Sequence, residues 1–256
     1  MVNPLWTFDR KRIKSYSGII GVDEAGRGCL AGPVVAGAVL LSSDFFRKAK
    51  NRKVCFGVND SKQIKERERE DIFEQILKLA SSGELYWGAG HSSVMEIESE
   101  NIVGATCLAM KRAMEKLSIS SKNMWIPLLK NEEDLFSGEI FSDEKAWIVS
   151  VDGRPMKKLP YQHEGLIKGD TFSLAIAMGS IVAKVTRDRL MRKLALKFKG
   201  YDFSSNKGYG SPKHLTGLLK NGPCVHHRPK FLRNLLNSAE KKKTIKEDSQ
   251  SQLSLS

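Results

Sequence analysis

Apolar and polar positions alternate along the chain in blocks whose period switches between that of strands and that of helices. Ile19, Ile20 and Val22 fill a short apolar run ahead of a glycine-rich turn, which predicts a strand over residues 18–24. A second strand is predicted over residues 34–42, after the Gly32-Pro33 turn. Ile64, Ile72, Ile76, Leu77 and Leu79 supply one apolar face of a helix reaching about residue 80, with Asp60 and Gln63 as its capping pair. Residues 84–90 suit a strand. Ser93-Val94-Met95-Glu96 has capping-box spacing and opens a helix carrying Ile97, Ile102, Ala105, Leu108, Ala109 and Ala113. β-Branched and aromatic residues predict strands over residues 147–151 and in the stretch before Lys168. A long helix is predicted over residues 171–198, small and apolar at first and basic later. Ser211-Pro212 reads as an N-cap followed by proline at the first helical position. Strands alternating with helices place the chain in the α/β class, and no internal repeat is visible.

Charge adds a partner class. Residues 153–237 hold 17 Lys or Arg against 4 Asp or Glu, whereas the rest of the chain holds 25 of each. The whole basic excess therefore lies in one section, interleaved with Tyr201, Phe203, Tyr209 and Phe231, a composition suited to phosphate backbones. An ordinary solvated helix face accounts for part of it, at Arg189, Arg192, Lys193, Lys197 and Lys199. Residues 238–256 are polar and charge-mixed and read as a disordered tail. The chain is 41% hydrophobic over 256 residues, enough for a sizeable core, yet no run approaches the roughly 18 consecutive apolar residues of a membrane span. Its start lacks a charged segment followed by an apolar one, so a cytoplasmic location is expected. Cys29, Cys55, Cys107 and Cys224 show no paired metal-ligand spacing and read as reduced thiols.

The chemistry is carried by acids at element ends. Asp23 and Glu24 sit where the first predicted strand meets a turn, Asp152 follows another strand, and Asp170 precedes the long helix. Ionised carboxylates at the end of a buried strand are costly unless a cation or donors satisfy them. Each has a plainer reading: a solvated loop for Asp23-Glu24 and an N-cap for Asp170. Together, though, they form the oxygen-only donor set that hard divalent cations such as Mg²⁺ or Mn²⁺ need, and a two-metal nuclease centre leads. Period-2 alternation sends Glu24 to the strand face opposite Asp23, so Glu24 can join only if the chain turns sharply there.

Asp23-Glu24-Ala25-Gly26-Arg27-Gly28 followed by Leu30-Ala31-Gly32-Pro33-Val34-Val35 resembles the signature of the type 2 ribonuclease H (ribonuclease HII) family. The resemblance continues, in family order, through Asn59-Asp60-Ser61-Lys62, Asn101-Ile102-Val103-Gly104-Ala105-Thr106, Val151-Asp152-Gly153, Lys168-Gly169-Asp170, the block from Ser180 to Asp188, Gly208-Tyr209-Gly210-Ser211 and His227-Arg228. It covers roughly residues 18 to 231.

The resemblance implies a ribonuclease H-like mixed sheet flanked by helices with a small helical C-terminal part. This divides the chain into a catalytic core (1–198), a basic substrate-binding part (199–237) and the tail. It implies that Asp23, Glu24, Asp152 and Asp170 bind the metals and that Gly26, Arg27 and Gly28 read the 2′-OH at the cleaved junction. Tyr209 would contact the deoxyribose beyond the ribonucleotide, and Lys62 and Lys184 are candidate phosphate contacts, with Lys184 alternatively neutralising the acids. The expected activity is metal-dependent endonucleolytic cutting, by a monomer, of the RNA strand of RNA–DNA hybrids and of single ribonucleotides in duplex DNA. The rivals are an exonuclease of the same broad fold and a non-catalytic hybrid-binding protein. Two departures stand out: Cys29 where proline is frequent, expected to loosen the turn, and a longer stretch around 118–146, read as a surface insertion.

Overall fold

The computed structural model of the chain describes residues 3–58, 64–130 and 146–233. Helix α1 (Pro4–Arg12) leads into strands β1 (Gly18–Ala25) and β2 (Val34–Ser42), then helices α2 (Ala49–Val54) and α3 (Glu66–Ser81). Strand β3 (Tyr86–Ser92), helix α4 (Val94–Ser120) and strands β4 (Trp147–Asp152) and β5 (Glu164–Leu166) follow, then helices α5 (Leu174–Lys197), α6 (Phe203–Asn206) and α7 (Pro212–Asn221). The five strands form one mixed sheet in the order β3-β2-β1-β4-β5. β1 is antiparallel to β2 and parallel to β4, so the centre of the sheet is where the chain direction changes.

The alternation seen in the sequence sorts the two faces. Ile19, Val39 and Leu41 pack against α5, together with apolar residues of α1 and α3, while Ile20, Val22, Ala36, Ala38 and Leu40 pack against α4. α5 lies on the sheet closely enough that backbone meets backbone. A Cβ on Gly21 would collide with the main chain at Ala175 and Ile176, and one on Gly37 with the carbonyl of Gly179. Its first turn is tied down by Asp9 of α1, whose Oδ2 accepts from the Ser173 hydroxyl at 3.0 Å and the Ala175 N–H at 2.9 Å. Burial pushes the Asp9 carboxyl up to about 7 against these donors.

Several predicted boundaries move. α3 starts at Glu66, with Lys65 before it. Ile64 is buried outside the helix, and Asp60 and Gln63 lie outside the described residues. β3 starts at Tyr86 rather than residue 84. α5 starts at Leu174 because Ser173, not Asp170, supplies the cap by accepting from Ile176 N–H. The capping box at Ser93 and Glu96 is present, and the helix it opens breaks once, at Asn101 (φ 58°), whose side chain accepts from Val103 and Gly104 and restarts it. The stretch after α4 is not wholly a surface insertion. Trp125 is buried against the α4 side of the sheet, and Leu129 bridges to Tyr161; residues 131–145 lie outside the described residues.

Gly37→Ala is expected to lower stability by about 3 kcal/mol, because the added methyl meets a carbonyl on a helix that cannot retreat without unpacking the sheet. Urea denaturation measures it; an unchanged midpoint would mean that α5 is free to shift.

Candidate metal centre and nucleic-acid interface

The parallel pairing of β1 and β4 sets Val22 opposite Val151. The next residues, Asp23 and Asp152, therefore stand side by side at the carboxyl ends of two neighbouring strands, the edge at which open α/β sheets bind ligands. β5 pairs Leu166 with Asp152, and the chain then returns through the turn Gly169–Thr171, which carries Asp170 inward. The Asp170 N–H lies 3.4 Å from Asp152 Oδ1. One carboxylate oxygen from each of Asp23, Asp152 and Asp170 lies within 4.8 Å of the other two. Asp23 and Asp170 are buried and Asp152 is half-buried, so the cluster opens on one side.

Glu24 follows the alternation. It falls on the α4 face, is not among the three clustered acids, and pairs with Arg27 at 3.0 Å. It remains close enough for its charge to be felt by Asp23. Burial, then the charges of Glu24 and Asp152, push the Asp23 carboxyl well above the usual carboxylate range, against bonds from the Ser180 side chain and the Glu24 N–H. Three crowded acids with an all-oxygen donor set fit a hard divalent cation, whose charge would reverse that shift.

Beside the acids, the turn over Gly26, Arg27 and Gly28 is shaped from behind by two buried arginines. Arg228 donates to the carbonyls of Gly26 (2.7 Å), Arg27 (2.8 Å) and Gly32 (2.7 Å). Arg187 donates to Ala31 (3.1 Å), Pro33 (2.9 Å) and Lys207 (2.8 Å). Buried guanidinium groups are tolerable because several carbonyls replace their water; desolvation nonetheless brings Arg228 down to about 10, so it stays charged at neutral pH. Gly26 has φ 95°, and a Cβ there would strike the Arg187 side chain. Gly28 is constrained by neither: a Cβ would meet nothing within 4 Å, which leaves room for a ligand to approach the backbone. The turn is braced by Arg228 and not loosened by Cys29, which is buried.

Tyr209 lies against the same turn. Leu30 N–H donates to the Gly208 carbonyl at 2.8 Å, and the Tyr209 ring, 47% exposed, sits beside the Arg187 guanidinium at 6.0 Å. Lys184 does not neutralise the acid cluster: its ammonium is held by both oxygens of Asp188, at 2.6 and 2.8 Å. Lys62 lies outside the described residues. Part of the basic excess is also taken up internally. Arg189 and Arg192 pair with Glu66, Glu70 and Glu74 of α3, while Lys193, Lys197, Lys199, Lys213 and Lys220 are exposed.

Sequence reasoning missed the buried roles of Arg187, Arg228, Ser180 and His214. One signal existed for Arg187: it falls between Ala183 and Met191 at helical spacing, a lone arginine on an apolar stripe. Arg228 lies in a loop-rich segment after α7 where no period reports burial, whereas His214 sits with Gly217 on the buried face of the ten-residue helix α7, a spacing the sequence did carry.

Comparison with known proteins shows the family and the fold. The profile of the family described as Ribonuclease HII matches residues 20–235. Proteins named Ribonuclease HII from Fusobacterium nucleatum and Syntrophotalea carbinolica are each 38% identical to this chain. The first alignment covers 94% of this chain and 96% of the relative; the second covers 90% and 92%. Among solved structures, the ribonuclease H2 of Pyrococcus horikoshii has the same fold, with TM-score 0.54 at 22% identity over 87% of this chain and 99% of that one. Bst-RNase HIII, solved in complex with Mn²⁺, matches with TM-score 0.51 at 18% identity over 74% and 57%.

Because the Asp23 carboxyl is raised in the folded state, the stability it contributes is complete below its ordinary value of 3.8 and is lost as pH rises toward the raised value. In chelator at neutral pH, Asp23→Asn is therefore expected to melt about 2–4 °C above the parent protein. Added Mn²⁺ should raise the parent's midpoint and leave the variant's nearly unchanged. A variant that melts lower in chelator would contradict the crowding of these acids.

Proposed function

The chain belongs to the ribonuclease HII family and is a ribonuclease H-type hydrolase; from that premise we propose that it is an endonuclease cutting the RNA strand of RNA–DNA hybrids and the 5′ side of single ribonucleotides in duplex DNA. The products would carry 3′-hydroxyl and 5′-phosphate ends. The observation that carries the proposal is the cluster of Asp23, Asp152 and Asp170 at the carboxyl ends of β1 and β4.

Asp23, Asp152 and Asp170 would hold Mn²⁺ or Mg²⁺, and Glu24 would join them only by leaving its pair with Arg27. The Mn²⁺ of the Bst-RNase HIII complex supports that class of ion. A pair of such ions, when bound, supplies an activated water and stabilises the departing oxyanion. Histidine offers no competing base among the clustered acids. The chain's own contribution is placement. The open backbone at Gly28 and the exposed Arg27 would meet the sugar and phosphate at the junction, where the 2′-OH distinguishes RNA from DNA. The Tyr209 ring would stack on the deoxyribose that follows. The exposed lysines of α5 and α7, rather than Arg189 and Arg192, would carry phosphate affinity. The substrate-binding part over residues 199–237 is proposed on the same grounds.

A labelled duplex with one internal ribonucleotide, incubated with Mg²⁺, with Mn²⁺ and with chelator, tests the proposal directly. A metal-dependent nick 5′ to the ribonucleotide is expected, whereas stepwise shortening from an end would favour an exonuclease. Binding in chelator with no turnover under any metal would favour a binding protein. Asp152→Asn should reduce cleavage at least about 10³-fold with hybrid binding retained; turnover like the parent's would remove Asp152 from the centre. Tyr209→Ala should impair cutting at a single ribonucleotide more than cutting of a long hybrid, measured as the ratio of kcat/KM values.

A further inference from the structure

Behind Tyr209 lies a second pair of titratable groups that the acid centre does not use. His214 of α7 and His227 are both buried, and their Nε2 atoms face each other at 3.0 Å. Tyr201 and Phe203 pack around both rings. The other nitrogen of His214, Nδ1, lies 2.7 Å from the carbonyl oxygen of Tyr209. The other nitrogen of His227 lies 2.9 Å from the Cys224 N–H.

These contacts have one consistent proton assignment. A backbone N–H only donates, so His227 Nδ1 must accept from Cys224 and carry no proton. The Cys224 carbonyl lies farther from the same nitrogen, at 3.3 Å, than the Cys224 N–H at 2.9 Å, so the shorter contact, with the donor, sets the state of Nδ1. The proton of a neutral His227 therefore sits on Nε2 and points at His214 Nε2, which must accept. The His214 proton then sits on Nδ1 and is donated to Tyr209. Burial among aromatic rings holds both imidazoles below the ordinary histidine range, His227 down to about 4, which keeps the pair neutral.

We infer that His214, oriented by His227, is a positioning residue: it fixes the Tyr209 backbone through the Nδ1–H bond and thereby sets selectivity for an isolated ribonucleotide. The inference rests on the junction-reading role proposed for Tyr209. Gly208 and Gly210 flank Tyr209 and give its segment backbone freedom, so an outside anchor is required to hold the ring in one place. Asn206 supplies one anchor, its side chain accepting from Gly208 N–H at 2.7 Å while its carbonyl accepts from Tyr209 N–H. On the other side of the residue the Tyr209 carbonyl accepts from Ser211 N–H at 2.8 Å within the turn and from His214, which ties it to the buried pair beyond the turn.

Two measurements on the full chain test it. Long-range ¹H–¹⁵N correlation spectra at neutral pH should report an Nδ1–H tautomer for His214 and an Nε2–H tautomer for His227; an Nε2–H tautomer at His214 overturns the inference. Steady-state kinetics should then compare a duplex bearing one ribonucleotide with a long RNA–DNA hybrid. His214→Leu is expected to lower the ratio of the two kcat/KM values about tenfold, through misplacement of Tyr209. His214→Asn, whose side-chain amide can replace the Nδ1–H donor, should recover most of that ratio. Equal losses on both substrates would mark His214 as merely structural and overturn the inference. Tyr209→Ala separates the two levels. A collapsed ratio there with an unchanged ratio in His214→Leu rejects only the anchoring role, whereas an unchanged ratio in Tyr209→Ala rejects the junction-reading role and the inference with it.

Discussion

The parallel register of β1 and β4 puts Asp23 and Asp152 side by side, and the fold is organised around holding two like charges there. Hydrophobic burial pulls β1 into the centre of the sheet, and the register then delivers its acid next to a neighbour's. Asp170 adds a third carboxyl from the turn ahead of α5, so that end of the sheet stores electrostatic tension. The surroundings resist its release. α5 is seated backbone-to-backbone on Gly21 and Gly37, its first turn is clamped by Ser173 and Asp9, and Ser180 reaches the Asp23 carboxyl from the same helix. The fold thereby meets the cost of bringing three carboxyl groups together, an arrangement that suits the divalent cation proposed above.

The second organising device is the pair of buried guanidinium groups. Arg187 comes from the middle of α5 and Arg228 from the segment after α7, yet both converge on carbonyls between Gly26 and Pro33. They join the end of β1, the helix that backs the acids and the C-terminal segment into one rigid unit. The Gly26–Gly28 turn and Tyr209 therefore keep a fixed relation to the aspartates, as recognition of a single sugar would require. Charge is accordingly divided by function. Arg187 and Arg228 build the turn, Arg189 and Arg192 lace α5 to α3, and Lys193, Lys197, Lys199, Lys213 and Lys220 remain exposed.

Local chemistry could be read directly wherever one short segment decided the outcome. The strand over residues 34–42, the Ser93–Glu96 capping box and the Ser211-Pro212 helix start all lie where hydrophobic period and capping chemistry put them. Asp23, Asp152 and Asp170 were legible as acids at element ends, and alternation alone already separated Glu24 from Asp23. Asp170 was open to two readings because an acid before a helix has the same local signature as a cap; Ser173, three residues on, takes that task. The start of α3 and the place of Trp125 were misread for a related reason. A capping pattern is a weak local signal, and burial of one tryptophan depends on what the rest of the chain packs beside it.

The sequence by itself determined the class of fold and the family, since these follow from periodicity and from ordered motifs, and it offered the acids as candidates without saying which of them meet. Only the tertiary structure decided which charges are free. Whether a lysine meets phosphate or Asp188, whether an arginine faces solvent or braces a turn, and whether a histidine is a base or an anchor depend on partners far away in the chain. Arg228 lies some 200 residues from the carbonyls that it holds, and Asp9 is 164 residues from Ser173. No local pattern encodes such pairs; burial creates them, because a charge or a ring nitrogen removed from water must find its donors and acceptors wherever the fold brings them.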